Sequence, residues 1–236
     1  MAFFIGNSFC RLCQTSEGQL VDELVVCLKG LLAKGLSFPA DALQSARLPG
    51  SNTIWMLRAN AEQGPAFKID IGNLGLISGH DKNEILLHAR IYDLRPDVNA
   101  ICHTRNPYTV YATLDGPLEK VHGEAALILG DIPIIENDSS GKDDHKLIEL
   151  VAKASVGEPL RPIRTIIVRR KSTLGLGACI HEARAFVEIL EEWAMFKMFA
   201  KMHGSSLNVL TLEQLRSLGA RYARSIKFGG RQSPVQ

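Results

Sequence analysis

Apolar side chains recur at helical spacing at Leu20, Leu24, Val25, Cys27, Leu28, Leu31 and Leu32. Ser16 followed by Gln19 is a capping box before that stripe, and Gly35 closes it, so the pattern predicts an amphipathic helix. Residues 36–80 carry short β-type runs: Thr53 to Leu57 after the turn residues Pro49-Gly50-Ser51-Asn52, and Ala66 to Ile71. Asp81-x-x-Glu84 is a second capping box, opening a helix through Leu86, Leu87, Ile91 and Tyr92 that Arg95-Pro96-Asp97 stops. Val98 to Cys102 predicts a buried strand, and Asn106-Pro107 starts a short helix with Tyr108, Val110 and Tyr111. Ala125 to Leu129 and Ile132 to Ile135 predict two strands split by Gly130-Asp131. A polar loop over 136–144 runs into a helix over Leu147–Ala154. Ile163 to Val168 predicts a strand, with Thr173 to Leu176 as its continuation. The longest helix is predicted over Ile180 to Met202, closed by Gly204, and Thr211-x-x-Gln214 caps a last one.

Composition narrows the class. With 46% hydrophobic and 22% charged residues, the 236-residue chain has enough apolar mass for a core, and disorder as the main state is excluded. Its apolar runs break too early for a membrane span. The net charge of +2 favours neither nucleic acid nor an acidic partner. Five cysteines, an odd number, argue against a disulfide framework and for a reducing compartment, so a cytoplasmic location is expected. Cys10-x-x-Cys13 has no second pair to complete a zinc ribbon. The chain divides into an N-terminal arm over 1–15, one domain over 16–204, and a C-terminal helix with basic tail over 205–236. From Arg216 onward it carries five basic residues and no acid. Helices and strands alternate without a glycine-rich nucleotide fingerprint, which fits a single α/β or α+β domain.

The run from Glu84 through His88 and Tyr92 to Arg95-Pro96-Asp97-Val98-Asn99-Ala100-Ile101-Cys102-His103-Thr104 resembles the class II aldolase/adducin family. Ala125 to Pro133, and Ile166 to Arg170 with Gly177 and the helix through Glu182 and Glu191, are similar to later parts of the same family. The resemblance covers roughly 17–204. It implies a three-layer αβα fold with a central, mostly antiparallel sheet and a homotetramer with its active sites between subunits. It also implies a divalent metal, usually zinc, on three histidines, with a Glu as acid/base or as a further ligand. Imidazole suits zinc, and an open coordination position polarises a carbonyl toward an enediolate.

At the positions the resemblance assigns to the metal, the chain departs from the pattern. His103 stands at the first ligand position, but Arg105 replaces the second histidine. Lys171 replaces the third, and Ser172 the glycine after it. Arginine keeps its proton, and two cations repel a divalent ion, so no metal and no cofactor is expected. Glu84 matches the family's catalytic Glu, or is simply the capping partner of Asp81; an ion pair to Arg105 or Lys171 would join the two readings. His88 reads as a structural histidine. His103 is a proton carrier or a relic, and Lys171 is a candidate amine nucleophile. Arg105 and Lys171, expected to be partly buried, together suit a carboxylate or phosphate. Ser51, Asn52 and Ser78 lie in turns similar to the family's phosphate-binding turns, or are plain turns. The resulting expectation is a lyase-type enzyme with catalytic Glu84, His103 and Lys171. It would act on a small oxygenated anion by proton transfer or carbon–carbon cleavage, without metal, nucleic acid or membrane. The alternatives are a non-catalytic, adducin-like oligomeric module and a metal-dependent aldolase with an altered ligand set.

Overall fold

A computed structural model describes residues 16–37, 43–58, 66–76, 82–136 and 163–229, with side chains as far as Arg221. Cys10, Cys13, Ser78, Asp81, His145, the helix expected over Leu147–Ala154 and the end of the tail lie outside the described residues. Helix α1 spans Glu17–Ala33; Ser16 caps it by accepting from the Gln19 backbone N–H. Strands β1 (Leu43–Ala46), β2 (Thr53–Arg58) and β3 (Phe67–Asp70) follow, then a 3-10 turn over Ile71–Leu76 and helix α2 (Lys82–Leu94). The rest is β4 (Ala100–Thr104), α3 (Pro107–Ala112), α4 (Gly123–Leu129), β5 (Ile134–Ile135), β6 (Thr165–Val168), β7 (Ser172–Gly177), α5 (Ile180–Met202) and α6 (Leu212–Gly229).

The strands form one seven-stranded sheet in the order β3-β2-β1-β4-β7-β6-β5, antiparallel except for the β5–β6 pair. Alternation along each strand gives the sheet two apolar faces. Leu43, Ile101, Leu174 and Leu176 face α2 through Ile85, Leu87 and Ile91. Ala46, Ala100 and Cys102 face α1 and the start of α5. A third cluster joins α4 to α5 through Ile128, Leu129, Phe186 and Trp193. The arrangement is the expected three-layer αβα sandwich with a mostly antiparallel sheet. Glycine is required where α5 crosses β7. A Cβ on Gly175 would lie 2.3 Å from the Ala183 carbonyl oxygen, and one on Gly177 2.5 Å from the Ala183 nitrogen.

Two expectations are corrected. Ala125 to Leu129 is helical, not a strand: His122 Nδ1 accepts from the Ala125 N–H, and the run is apolar all round because it is buried against α5. A short buried run does not reveal its period. Thr173 to Leu176 is not a continuation of β6 but the returning arm of a hairpin, turned by Arg169–Arg170–Lys171 with Arg170 at φ 61°. No helix among the described residues is long and apolar enough to cross a membrane.

Candidate active site

Facing α2 on the inner sheet surface is a row of polar side chains among the apolar ones. Strand alternation puts Ser45 beside Leu43, His103 beyond Ile101 and Ser172 before Leu174 on that surface. His88 and Tyr92, four apart on α2, face it from above. The Tyr92 hydroxyl lies 2.8 Å from Ser45 Oγ, which lies 2.7 Å from His88 Nδ1. His88 Nε2 is 3.5 Å from His103 Nδ1, and His103 Nε2 is 2.9 Å from Ser172 Oγ. None of the five is more than 6% exposed, so water scarcely competes for these bonds. Burial, then the neighbouring His103 and the Arg58 cation, pull the His88 pKa well below the usual histidine value. Burial likewise pushes the Tyr92 phenol up, so it keeps its proton. The Arg47 guanidinium covers the Tyr92 ring at 4.8 Å while donating to the Arg95 and Val98 carbonyls.

This chain of polar groups ends where β4 and β7 leave the sheet. Thr104 and Thr173 are the last register pair, so Arg105 and Lys171 depart from the same end. The segment after β4 is anchored: Thr104 Oγ1 donates to Asn106 Oδ1 (2.6 Å), and Asn106 Nδ2 donates to the Val187 carbonyl (2.7 Å). The buried Glu191 carboxylate then accepts from the Tyr108 N–H, the Thr109 N–H and the Thr109 hydroxyl, capping α3. On the other side, Arg169 donates to the Thr113 and Leu114 carbonyls and pairs with Glu136. Both Arg105 and Lys171 are exposed rather than partly buried, because they sit past the last sheet pair, in a loop and a turn.

Glu84 occupies the first turn of α2 and pairs with Arg58 at 3.0 Å; this ion pair stands in place of the expected one to Arg105 or Lys171. Arg58 is in register with Leu43, and Leu43 with His103, so Glu84 belongs to the same sheet end. Ser51 and Asn52 do not. The strand register puts their turn beyond Ala46 and Ala100, at the opposite end from His103. Ser51 there accepts from the Thr53 N–H, and the Asn52 carbonyl accepts from the Ile71 N–H. One chain therefore gathers Glu84, His103, Arg105 and Lys171 but not Ser51 and Asn52.

The donor set does not fit a three-histidine metal. Among the described residues no group of three or more His, Cys, Asp or Glu is placed to hold an ion. His103 Nε2 points to Ser172 Oγ, and the other two positions hold permanent or near-permanent cations. Reading the sequence missed Ser45, Tyr92, Arg58 and Glu191 as parts of this site. The His88–Tyr92 spacing was visible, but Ser45 lies 43 residues from His88 and only the fold joins them.

A family model described as Class II Aldolase and Adducin N-terminal domain matches residues 58–198. An L-fuculose phosphate aldolase of Methanococcus vannielii is 30% identical over 120 residues, 50% of this chain and 61% of that protein. One of Methanocaldococcus jannaschii is 31% identical over 120 residues, with the same coverage. The chain thus spans less than two thirds of the length of these curated relatives. In shape it is similar to YgbL of Klebsiella pneumoniae, with a TM-score of 0.71, 19% identity, and coverage of 87% of this chain and 100% of that one. The L-fuculose 1-phosphate aldolase of Glaciozyma antarctica gives a TM-score of 0.68 at 17% identity, covering 92% and 93%. At such identities the likeness is one of fold.

Proposed function

Because the chain belongs to the class II aldolase and adducin family, we propose that it is a lyase-type enzyme for a small oxygenated carboxylate or phosphate. It would work by proton transfer or carbon–carbon cleavage with protein cations in place of the metal. The observation that carries this reading is the convergence of His103 and Ser172, 2.9 Å apart, with Arg105 and Lys171 at one sheet end. In this reading the two cations bind the anion and offset charge that develops on oxygen in the transition state. The His103–Ser172 pair moves the proton. Glu84, held by Arg58, borders the site and completes the acid/base set.

Assembly as a homotetramer belongs to the same proposal. Tyr108, Tyr111, Leu114, Phe199 and Met202 form exposed apolar surface on α3, the residues after it and α5, with Tyr108 against Phe199. Ser51 and Asn52, remote from His103 within one chain, would take part in substrate binding only from a neighbouring subunit.

The test is calorimetric titration of chelator-treated protein with L-fuculose 1-phosphate and with inorganic phosphate. Binding without added metal is expected, weakened in Arg105→Gln with Lys171→Gln by about 1.5–3 kcal/mol for each charged hydrogen bond lost. Exchange of a substrate carbon-bound proton with deuterated water reports the chemistry. Binding that appears only on adding zinc returns the metal-dependent reading. A second reading, the adducin-like module, is favoured by the near-complete burial of His103; an intact oligomer that binds no anion and exchanges no proton would establish it.

A further inference from the structure

The polar chain from Tyr92 to Ser172 has a direction. A neutral imidazole carries one N–H and one acceptor nitrogen, so each histidine passes a hydrogen bond on in one sense only. In one arrangement Tyr92 donates to Ser45, Ser45 to His88 Nδ1, His88 Nε2–H to His103 Nδ1, and His103 Nε2–H to Ser172. In the other, every donor is reversed, and Ser45 donates to the tyrosine oxygen. The Tyr92 proton then needs a new acceptor. Over the ring sits the Arg47 guanidinium, which only donates, and the phenol stays protonated because it is buried. Among the described residues the side-chain acceptor within bonding distance is Ser45 Oγ. The reversed arrangement therefore strands a buried hydroxyl proton, which carries the cost of its desolvation. The forward arrangement leaves its last hydroxyl proton at Ser172 instead, beside the exposed Lys171. Ser172, the most exposed of the five at 6%, accepts from His103 at that end.

We propose that Tyr92, Ser45 and His88 are positioning residues that lock His103 in its Nε2–H tautomer, so that the site presents a proton donor at Ser172 rather than a base. The inference rests on the reading of His103 as the proton carrier of the site. It deepens that reading by assigning the sense of transfer and by giving a role to His88, which the sequence offers only as a structural histidine. The His88–His103 link, at 3.5 Å and with the rings inclined by 34°, is the longest in the chain, so the lock is most open to perturbation there.

Long-range proton–nitrogen correlation spectra of histidine-labelled, full-length protein at alkaline pH read the tautomer directly. The His103 signals are assigned by their loss in His103→Gln. The wild type is expected to show a protonated Nε2 and a bare Nδ1 at His103. Tyr92→Phe is expected to keep the Nε2–H form, because a reversed chain would then leave the Ser45 proton without an acceptor in place of the tyrosine's. Ser45→Ala, by contrast, takes the donor away from His88 Nδ1 and is expected to shift the tautomer ratio toward the Nδ1–H form by about fivefold, the factor that one ordinary hydrogen bond commands. His88→Gln, whose amide still donates to His103 Nδ1, is expected to keep the wild-type tautomer, whereas His88→Leu loses it. A wild-type His103 carrying its proton on Nδ1, or divided equally between the two, overturns the proposal without any variant. So does an unchanged tautomer in a folded Ser45→Ala. No substrate enters these spectra, so failure of anion binding in the titrations refutes the enzyme reading independently of the tautomer.

Discussion

Replacing Glu191 with alanine strips the acceptor from three donors at the start of α3: the Tyr108 and Thr109 backbone N–H groups and the Thr109 hydroxyl, at 2.7–2.9 Å. Glu191 is only 7% exposed and Thr109 is fully buried, so water cannot take over at Thr109. Each bond to a charged acceptor contributes about 1.5–3 kcal/mol, and a buried donor left unpaired costs about 1–3 kcal/mol. Tyr108 N–H is partly open to solvent and recovers some of its loss. The net destabilisation is about 3–5 kcal/mol, comparable with breaking a buried ion pair. Glu191→Gln retains an acceptor oxygen but not the charge, and should cost about 1–2 kcal/mol. Urea unfolding followed by circular dichroism gives both values from the shift of the midpoint. The consequence reaches the site, because α3 follows Arg105 and Asn106 directly: a folded Glu191→Gln should also bind anions more weakly. A Glu191→Ala cost below about 1 kcal/mol, smaller than one charge-assisted bond, would refute the claim that this carboxylate holds the segment after β4.

Other outcomes follow from the same geometry. His88 is held neutral in the folded protein while its unfolded value is near the usual 6.5, so below that pH the unfolded chain binds the extra proton. Stability should therefore fall with decreasing pH, by up to about 1.4 kcal/mol per unit between 6.5 and the depressed folded value, and His88→Gln should remove that slope from denaturation curves. Gly175→Ala forces a Cβ against the α5 backbone and should cost about 3 kcal/mol, lowering the melting temperature; an unchanged melting point would contradict the close packing of β7 on α5. Light scattering at micromolar concentration should find a tetramer, and Tyr111→Glu with Met202→Lys should shift it to smaller species. A monomeric wild type would remove the assembly proposal.

Local chemistry in the sequence determined the elements whose signals are local. Ser16 with Gln19, and Thr211 with Gln214, cap their helices as their spacing predicts, because both partners lie within one turn. The run from Arg95 to Thr104 marked the turn, the buried strand and the family, and with the family the three-layer fold. That run and the later one from Ile166 to Arg170 also placed Arg105 and Lys171 where the resemblance puts metal ligands. The state of Ala125 to Leu129 was not legible, since a short run buried on all sides has no polar face to mark its period. Nor was the partner of Glu84: Arg58 lies 26 residues away and meets it only through the β1–β2 register. The two histidines illustrate the division most sharply. Their identities stand in the sequence at 88 and 103, but whether imidazole nitrogens face a metal, water or each other is set by which strands align. Ser45 comes from β1, His103 from β4 and Ser172 from β7, three segments joined by antiparallel pairing across up to 77 residues, and that pairing is decided by the burial of both sheet faces at once.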